Sequence, residues 1–111
     1  MNIGLIIPAR FKSTRFPGKP LALINGKPMI WHVWSRCILA IDPQDVYIAT
    51  ESTKIKDAAE SFGAKVIMTS SKCLTGTDRI AEANQQLDYD FIINVQGDEP
   101  LIDPGLVSVI K

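Results

Sequence analysis

A cluster of cations follows the first apolar run of the chain. Residues 8–20, PARFKSTRFPGKP, contain no acidic residue, and four basic residues lie close together there: Arg10, Lys12, Arg15 and Lys19. Arginine binds phosphate oxygens through paired N–H groups, and lysine binds them as a point charge. Ser13 adds a neutral donor, Gly18 allows close backbone approach, and the prolines stiffen the segment. The pattern indicates an anion site, although charge clustering alone is also typical of a solvated basic loop.

Two common phosphate-binding motifs are absent from the sequence. No two glycines are separated by a single residue, so there is no G-x-G-x-x-G dinucleotide fingerprint. Lys19 and Lys27 each follow a glycine but precede a proline, so there is no Walker A loop either. These absences disfavour a nicotinamide-dependent dehydrogenase and a P-loop NTPase.

A second candidate site is NVQGDEP, residues 94–100, where an apolar run ends in consecutive carboxylates. Mg²⁺ prefers oxygen ligands and commonly takes one or two carboxylates together with substrate phosphates. Because neighbouring side chains of an extended segment point apart, we expect Asp98 to be a single metal ligand and Glu99 to make structural hydrogen bonds. A turn capped by acidic residues is the alternative reading of the same pattern.

The segment TGTDR, residues 75–79, lies where a loop meets a predicted helix. Thr77 suits the N-cap position, and the free N–H groups of a helix N-terminus attract anions or a base carbonyl. The alternative is an ordinary capped helix with Arg79 in solvent.

The histidine, tryptophan and cysteine side chains are predicted to have packing roles. His32 is the only histidine and lies in an apolar helix, and Trp31 and Trp34 have core spacing on that helix. Cys37 and Cys73 lack metal or disulfide spacing and are predicted to be buried or half-buried thiols. No Ser/His/Asp or Cys/His arrangement is evident.

Composition limits the class of protein. The chain has 111 residues, 46% hydrophobic and 22% charged, which suits one globular domain. Net charge is zero, but the first 41 residues carry six basic and no acidic residues, so the two parts balance at +6 and −6. No run suits a transmembrane helix or a signal peptide, and the basic segment is too local for nucleic acid. We expect a soluble, cytoplasmic protein that binds neither membrane nor nucleic acid.

Strands and helices must alternate to position these motifs. Apolar runs predict strands at 3–7, 46–49, 66–68 and 91–95. Helical spacing and capping residues predict helices at 28–39, 52–62 and 77–87. A short extended piece at 21–24 precedes the turn signal Asn25-Gly26, and Asp103-Pro104 is predicted to open a further helix.

This alternation predicts an α/β fold: a Rossmann-like, three-layer α/β/α arrangement with a parallel sheet. Ligands of such sheets bind beyond the carboxyl ends of the strands. Two of those ends carry the chemistry described above, one at Pro8-Ala9-Arg10 and the other at residues 96–100. We therefore expect the site to lie between them.

Taken together, the motifs resemble one family. PARxxSxRxPGKPL, INGKPMI, MTS with TGTDR, and NVQGDEP occur in an order similar to that of the 3-deoxy-manno-octulosonate cytidylyltransferases, or CMP-Kdo synthetases. The likeness covers nearly the whole chain. It implies the nucleotide-diphospho-sugar transferase type of fold, with residues 1–111 forming the N-terminal nucleotide-binding part of a single domain.

The resemblance also implies a reaction and a set of residues. CTP and Kdo, an acidic sugar, would give CMP-Kdo and pyrophosphate with Mg²⁺, for lipopolysaccharide biosynthesis. Arg10, Lys19 and Asp98 would be catalytic, and Asp98 would bind the metal. The implied nucleotide-binding residues are Pro8, Ala9, Arg10, Ser13, Arg15, Lys19, Thr77, Arg79 and Gln96.

Family members are about twice as long as this chain, so we expect it to be truncated relative to them, without the second metal carboxylate and much of the sugar pocket. The full-length family is expected to be homodimeric. Three alternatives stay open: an enzyme for 8-amino-Kdo or another acidic sugar, a CTP-binding fragment without catalysis, and an interaction fragment whose loop is merely basic.

Overall fold

The computed structural model describes residues 2–11, 18–70, 72, 76–95 and 108–110, and only the backbone of residues 76, 77 and 108–110. In chain order the strands are β1 (Ile3–Pro8), β2 (Leu23–Ile24), β3 (Lys27–Pro28), β4 (Val46–Thr50), β5 (Lys65–Met68), β6 (Phe91–Asn94) and β7 (Ser108–Ile110). The helices are α1 (Met29–Ala40), α2 (Thr53–Ser61) and α3 (Gly76–Leu87), and short 3-10 turns occupy Lys19–Leu21 and Pro43–Asp45. None of the helices in these ranges has the length and apolarity needed to cross a bilayer.

The main sheet has the strand order β5-β4-β1-β6-β7. β1 is the central strand and runs parallel to both neighbours, with Leu5 opposite Val46 on one side and opposite Ile93 on the other. The chain moves outward from β1 through β4 to β5, and then returns to place β6 on the opposite side of β1. The strand order therefore reverses between β1 and β6, and a crevice for ligands is expected at the carboxyl ends of these two strands.

Alternating side chains of the strands supply a core on each face of the sheet. On one face, Leu5 and Ile7 are fully buried against α1 and α2. On the other face, Ile6 packs with Ile80 and Ala83 of α3. The sheet is thus covered on both sides, and the predicted three-layer α/β/α fold is confirmed.

Short-range signals in the sequence account for the turns and helix ends. Asn25 and Gly26 both have positive φ, 53° and 81°, so they form the tight turn between β2 and β3 that the Asn-Gly pair predicts. Ser52 caps α2, because its hydroxyl accepts from the Ile55 N–H at 3.3 Å. Gly63, with φ 89°, follows the end of that helix.

The last part of the chain departs from the sequence-based prediction. Asp103 and Pro104 lie outside the described residues, but Ser108–Ile110 form a strand where the predicted helix would have continued. This strand, β7, runs antiparallel to β6, with Val109 opposite Ile93. Val109 and Ile110 are β-branched, and the edge of β6 offers them backbone partners, which outweighs the helix-opening signal before them.

Candidate functional site

The ends of β1 and β6 lie side by side at the reversal point. Ile6 is opposite Asn94, and the Val95 N–H donates to the Ile6 carbonyl at 3.3 Å. Pro8 ends β1 and is buried, and the next N–H, that of Ala9, donates to the Ala49 carbonyl of β4 at 2.8 Å. Ala9 remains buried, whereas Arg10 is exposed. The backbone is therefore fixed up to Ala9, and the side chain of Arg10 is exposed to solvent beyond the carboxyl end of β1.

The base of the basic loop is closed by the backbone of Phe11. The Gly18 N–H donates to the Phe11 carbonyl at 2.6 Å, and Gly18 adopts a left-handed conformation with φ 73°. The 3-10 turn Lys19–Leu21 follows directly, and Pro20 within it is buried. Lys19 is therefore attached to the fold through Pro20 on one side and Gly18 on the other. Ser13 and Arg15 belong to residues 12–17, which lie outside the described residues.

An acidic side chain from β4 also reaches this loop. Glu51 directly follows β4, and its Oε1 accepts the Phe11 N–H at 3.2 Å and lies 3.5 Å from the Thr50 hydroxyl, which donates to it. Lys54, in the first turn of α2, lies over the Phe11 ring at 5.0 Å. Sequence reasoning missed Glu51. The available signal was its position at the carboxyl end of a buried strand.

Arg79 is a buried residue rather than a solvated one. Its side chain is 3% exposed, and Nη1 donates to the Thr69 hydroxyl and, at 3.3 Å, to the Ser70 carbonyl. The alternative that left Arg79 in solvent is therefore wrong, because its guanidinium is buried and bonds to the segment that follows β5. Glu82, one turn further along α3, accepts the Ser70 N–H at 2.6 Å. Together, Arg79 and Glu82 fix the segment that follows β5.

The position of Thr77 is known from its backbone alone. It lies in the first turn of α3, which begins at Gly76, and its side chain lies outside the described residues. An N-cap residue lies before the first helical residue, so the prediction of Thr77 at the N-cap is wrong.

Asn94 brings a polar side chain to the end of β6. Its Oδ1 is buried and has no hydrogen-bond partner among the groups that the structure describes. Gln96 and Asp98 follow Asn94 by two and four positions but lie outside the described residues. Over the described ranges, no group of three or more His, Cys, Asp or Glu side chains is placed to hold a metal ion. The metal role of Asp98 is therefore a prediction of the sequence.

Of the side chains predicted to pack, Trp31, His32 and Trp34 are half-buried and Cys37 is buried. His32 hydrogen-bonds through Nε2 to the Ile24 carbonyl at 2.7 Å and so ties α1 to the hairpin of β2 and β3. The Trp34 ring contacts that of Phe62 with centroids 5.0 Å apart. Cys37 is buried, and burial raises the pKa of its thiol to about 12. Cys73 lies outside the described residues.

A mostly parallel sheet between two helical layers, with its strand order reversing beside β1, defines a doubly wound α/β protein. A sequence model of one family in this class, described as "Cytidylyltransferase", matches residues 5–110. The chain belongs to this cytidylyltransferase family.

Similar curated proteins cover almost all of this chain but less than half of their own length. The 8-amino-3,8-dideoxy-manno-octulosonate cytidylyltransferase of Shewanella piezotolerans is 58% identical over 113 residues, which is 99% of this chain and 46% of that protein. The protein of the same name from Shewanella amazonensis is 59% identical with the same shares. The chain therefore spans about half the length of the curated relatives it matches.

Solved structures give the same fold. A CMP:2-keto-3-deoxy-manno-octonic acid synthetase solved in complex with CTP matches with a TM-score of 0.90 and 43% identity, over 95% of this chain and 44% of that one. A cytidylyltransferase from Leptospira borgpetersenii matches with a TM-score of 0.82 and 28% identity, over 96% of this chain and 45% of that one. The resemblance drawn from the motifs is confirmed at the level of family and fold.

Proposed function

We propose that this chain is the nucleotide-binding part of an enzyme that activates a Kdo-type acidic sugar with CTP. The anomeric hydroxyl oxygen of the sugar attacks the α-phosphorus of CTP and loses its proton to solvent, the bond to the β-phosphate breaks, and pyrophosphate leaves with its bonding electrons. The observation that carries the proposal is the 58% identity, across 99% of the chain, to a protein named for this reaction type. The similar structure solved with CTP supports the choice of nucleotide.

The triphosphate is assigned to the loop after β1. Pro8 and Ala9 supply a fixed backbone edge, while Arg10 and Lys19 supply charge at the two ends of the loop. Ser13 and Arg15 belong to the same loop and are assigned to the triphosphate as well. Transfer between phosphate oxygens depends mainly on positioning and on neutralising charge, which cations at a strand end can provide.

The base of the nucleotide is assigned to the side of the sheet that α3 covers. Arg79 is buried there and is held by Thr69 and Ser70, so it can shape a pocket wall with little further ordering. Thr77 lies in the first turn of the same helix, and the first N–H groups of a helix have no partner within the helix itself. Gln96, beyond the end of β6, is assigned to the nucleotide or the sugar.

Mg²⁺ is the proposed metal, and Asp98 is its proposed ligand. The donor chemistry at the end of β6 fits a hard cation, since the side-chain oxygen of Asn94 is already buried there without a partner in the described part of the chain. When bound, Mg²⁺ would neutralise charge on the phosphate oxygens. Asp98 would hold it at the strand end beside the cation-bearing loop.

The sugar is proposed at the level of a class. The Shewanella relatives are named for 8-amino-3,8-dideoxy-manno-octulosonate, whereas the similar structure is named for 2-keto-3-deoxy-manno-octonic acid. Both names describe eight-carbon 3-deoxy acids. We propose a cytoplasmic step in lipopolysaccharide biosynthesis, as the resemblance of the motifs implies. A homodimer of the intact protein is part of the same proposal.

Pyrophosphate release tests the reaction directly. The intact protein is incubated with CTP and Mg²⁺ and with either Kdo or its 8-amino counterpart, and we expect release with one of the two sugars that exceeds the rate without sugar. Equal background rates with both sugars would contradict the proposed reaction. Replacing CTP with ATP, GTP or UTP serves as the control for the nucleotide.

A second candidate is CTP binding without transfer, since the chain corresponds to only 46% of the length of its relatives. Isothermal titration with CTP separates the two. Heat of binding without pyrophosphate release favours the binding module, and the absence of both would remove the nucleotide assignment of the loop.

A further inference from the structure

Phe11 connects the two described cations of the proposed triphosphate site. Its N–H is adjacent to Arg10, and its carbonyl accepts from Gly18, which precedes Lys19. One peptide backbone therefore fixes where the chain leaves Arg10 and where it returns to Lys19. A contact that fixes Phe11 therefore also fixes the position of the backbone at Arg10 relative to the backbone at Lys19.

Glu51 is the side chain that holds Phe11 from the sheet. It accepts the Phe11 N–H at 3.2 Å and the Thr50 hydroxyl at 3.5 Å, while the Thr50 oxygen accepts the Ser52 N–H at 3.1 Å. Thr50 is fully buried and Ser52 caps α2, so the carboxylate is attached to a rigid junction between β4 and α2. Phe11 thereby acquires a fixed position relative to the sheet.

A second contact holds the same residue from the side of its ring. Lys54 Nζ lies 5.0 Å from the centre of the Phe11 ring, and a Cβ on Gly18 would lie 3.0 Å from the Cε2 atom of that ring. The half-buried ring of Phe11 thus has Lys54 of α2 and Gly18 as neighbours. Contacts from both the backbone and the ring of Phe11 converge at this junction.

The carboxylate of Glu51 lies beside a site that is proposed to bind an anion, which is electrostatically unfavourable. Glu51 is half-buried, and its charge opposes the approach of a triphosphate to Arg10 and Lys19. The unfavourable charge is offset if the carboxylate orders the loop before the ligand arrives, because ordering on binding lowers affinity.

We infer that Glu51 is a positioning residue for the phosphate-binding cations, acting through the backbone of Phe11. The inference rests on the proposed function and adds to it a residue that does not touch the nucleotide. Glu51 sets the geometry of Arg10 and Lys19, and its own charge is secondary to its role as a hydrogen-bond acceptor.

Two near-isosteric substitutions separate positioning from charge. Glu51→Gln removes the charge but keeps an oxygen that accepts the Phe11 N–H, whereas Glu51→Met removes both. Glu60→Met is the control for loss of an acidic side chain, since Glu60 lies on the exposed side of α2 beside Lys56 at 3.4 Å. CTP and CMP are titrated into the intact parent protein and each variant.

We expect Glu51→Met to weaken CTP binding by about ten-fold, the scale of a lost hydrogen bond to a charged group. Glu51→Gln and Glu60→Met should stay within about three-fold of the parent, as expected when the hydrogen bond is kept or the site is remote. The effect on CMP should be smaller than that on CTP, because CMP lacks the β- and γ-phosphates. Tighter CTP binding in both Glu51 variants would mean that the charge alone matters, and an equal loss for CTP and CMP would mean a general structural role; either result overturns the inference.

Amide hydrogen exchange in the parent protein covers the case in which Glu51→Met does not fold. We expect the Phe11 N–H to be protected from exchange without ligand, and an unprotected Phe11 N–H would overturn the positioning role of Glu51. Failure of the parent to bind CTP would instead count against the proposed function, so the two failures are distinguishable.

Discussion

Burial decides what the reactive side chains of this chain can do. Arg79 is 3% exposed and donates to Thr69 and Ser70, so its guanidinium is committed to the fold before any ligand binds. Cys37 is 1% exposed in the core that α1 makes with the sheet. Arg10, in contrast, is exposed at the strand end. The exposed side chain of Arg10 is therefore available to a ligand, whereas the side chains of Arg79 and Cys37 are held inside the fold.

The Cys37 thiol should be unreactive in the folded protein. Burial raises its pKa to about 12, so the thiolate that reacts with disulfide reagents is scarce at neutral pH. In a Cys73→Ser background, we expect labelling by a thiol-reactive dye only after unfolding. Because the pKa is lower in the unfolded chain, this group should also reduce the free energy of unfolding as pH rises from about 9 towards 12. Rapid labelling of the folded protein would show that Cys37 is accessible.

Lys19 is the second residue whose contribution can be measured. Lys19→Ala should weaken CTP binding by roughly 1.5–3 kcal/mol, the scale of a charged hydrogen bond. Isothermal titration of the intact protein measures the change. The matched control is Lys27→Ala. Lys27 is an exposed lysine of the β2–β3 hairpin, and its Nζ lies 5.5 Å from the centre of the Trp31 ring. Equal CTP affinity in the parent and Lys19→Ala would rule out a phosphate contact by Lys19.

Among the elements, those with local signals could be predicted from the sequence and the others could not. The apolar runs of β1, β4 and β6 and the Ser52 cap of α2 have signals within a few residues, and their bounds agree with the structure to within a residue or two. The strand β7 depends on a partner distant in sequence, so a local helix signal was misleading there. Burial of Arg79 and the contact of Glu51 with Phe11 likewise arise from tertiary packing, which periodicity does not contain.

Gly4 shows how tightly one strand is packed against its covering elements. A Cβ at this position would lie 2.7 Å from the Tyr89 ring, whose hydroxyl donates to Asp45 at 2.7 Å and limits how far the ring can move. Gly4→Ala should therefore lower the free energy of unfolding by about 1–3 kcal/mol, as overpacked cores do. Urea unfolding by circular dichroism measures this change.

The cause can be isolated with a second substitution. In a Tyr89→Leu background the ring is absent, and the cost of Gly4→Ala should fall clearly below its cost in the parent. The same cost in both backgrounds would mean that the strand backbone, rather than the ring, disfavours the methyl group.

At the scale of the whole molecule, the proposed reaction depends on the carboxyl ends of two neighbouring strands, β1 and β6, between which the strand order reverses. The cations come from the loop after β1, and the carboxylates come from the segment after β6. The chain has a radius of gyration of 12.6 Å, close to the roughly 13 Å expected of a compact domain of this length. A chain about half as long as its relatives thus contains both strand ends that the proposed nucleotide site requires.

Substitution of Asp98 tests whether the segment after β6 takes part in the proposed reaction. Asp98→Asn should reduce Mg²⁺-dependent pyrophosphate release by the intact protein about a hundred-fold or more, the scale of losing one charge-stabilising group. The circular dichroism spectrum should not change. Removal of Mg²⁺ by EDTA should abolish release in the parent, and added Mg²⁺ should restore it.

Asp88→Asn provides the matched control, because Asp88 is exposed and has a φ of 61°, a conformation that asparagine also tolerates. It should keep the activity of the parent. A fully active Asp98→Asn variant would exclude Asp98 as the metal ligand.

The central position of β1 has a consequence for how the chain folds during synthesis. Asn2 and Asp90 bond reciprocally beside the β1–β6 pair, across 88 positions of sequence. At typical translation speeds the ribosome needs roughly 4–18 s to make the intervening chain. Within that time β4 becomes available to pair with one edge of β1, while the strand for the other edge has not been made. Completion of the sheet, and with it the approach of the two strand ends, is therefore a late, long-range event in folding.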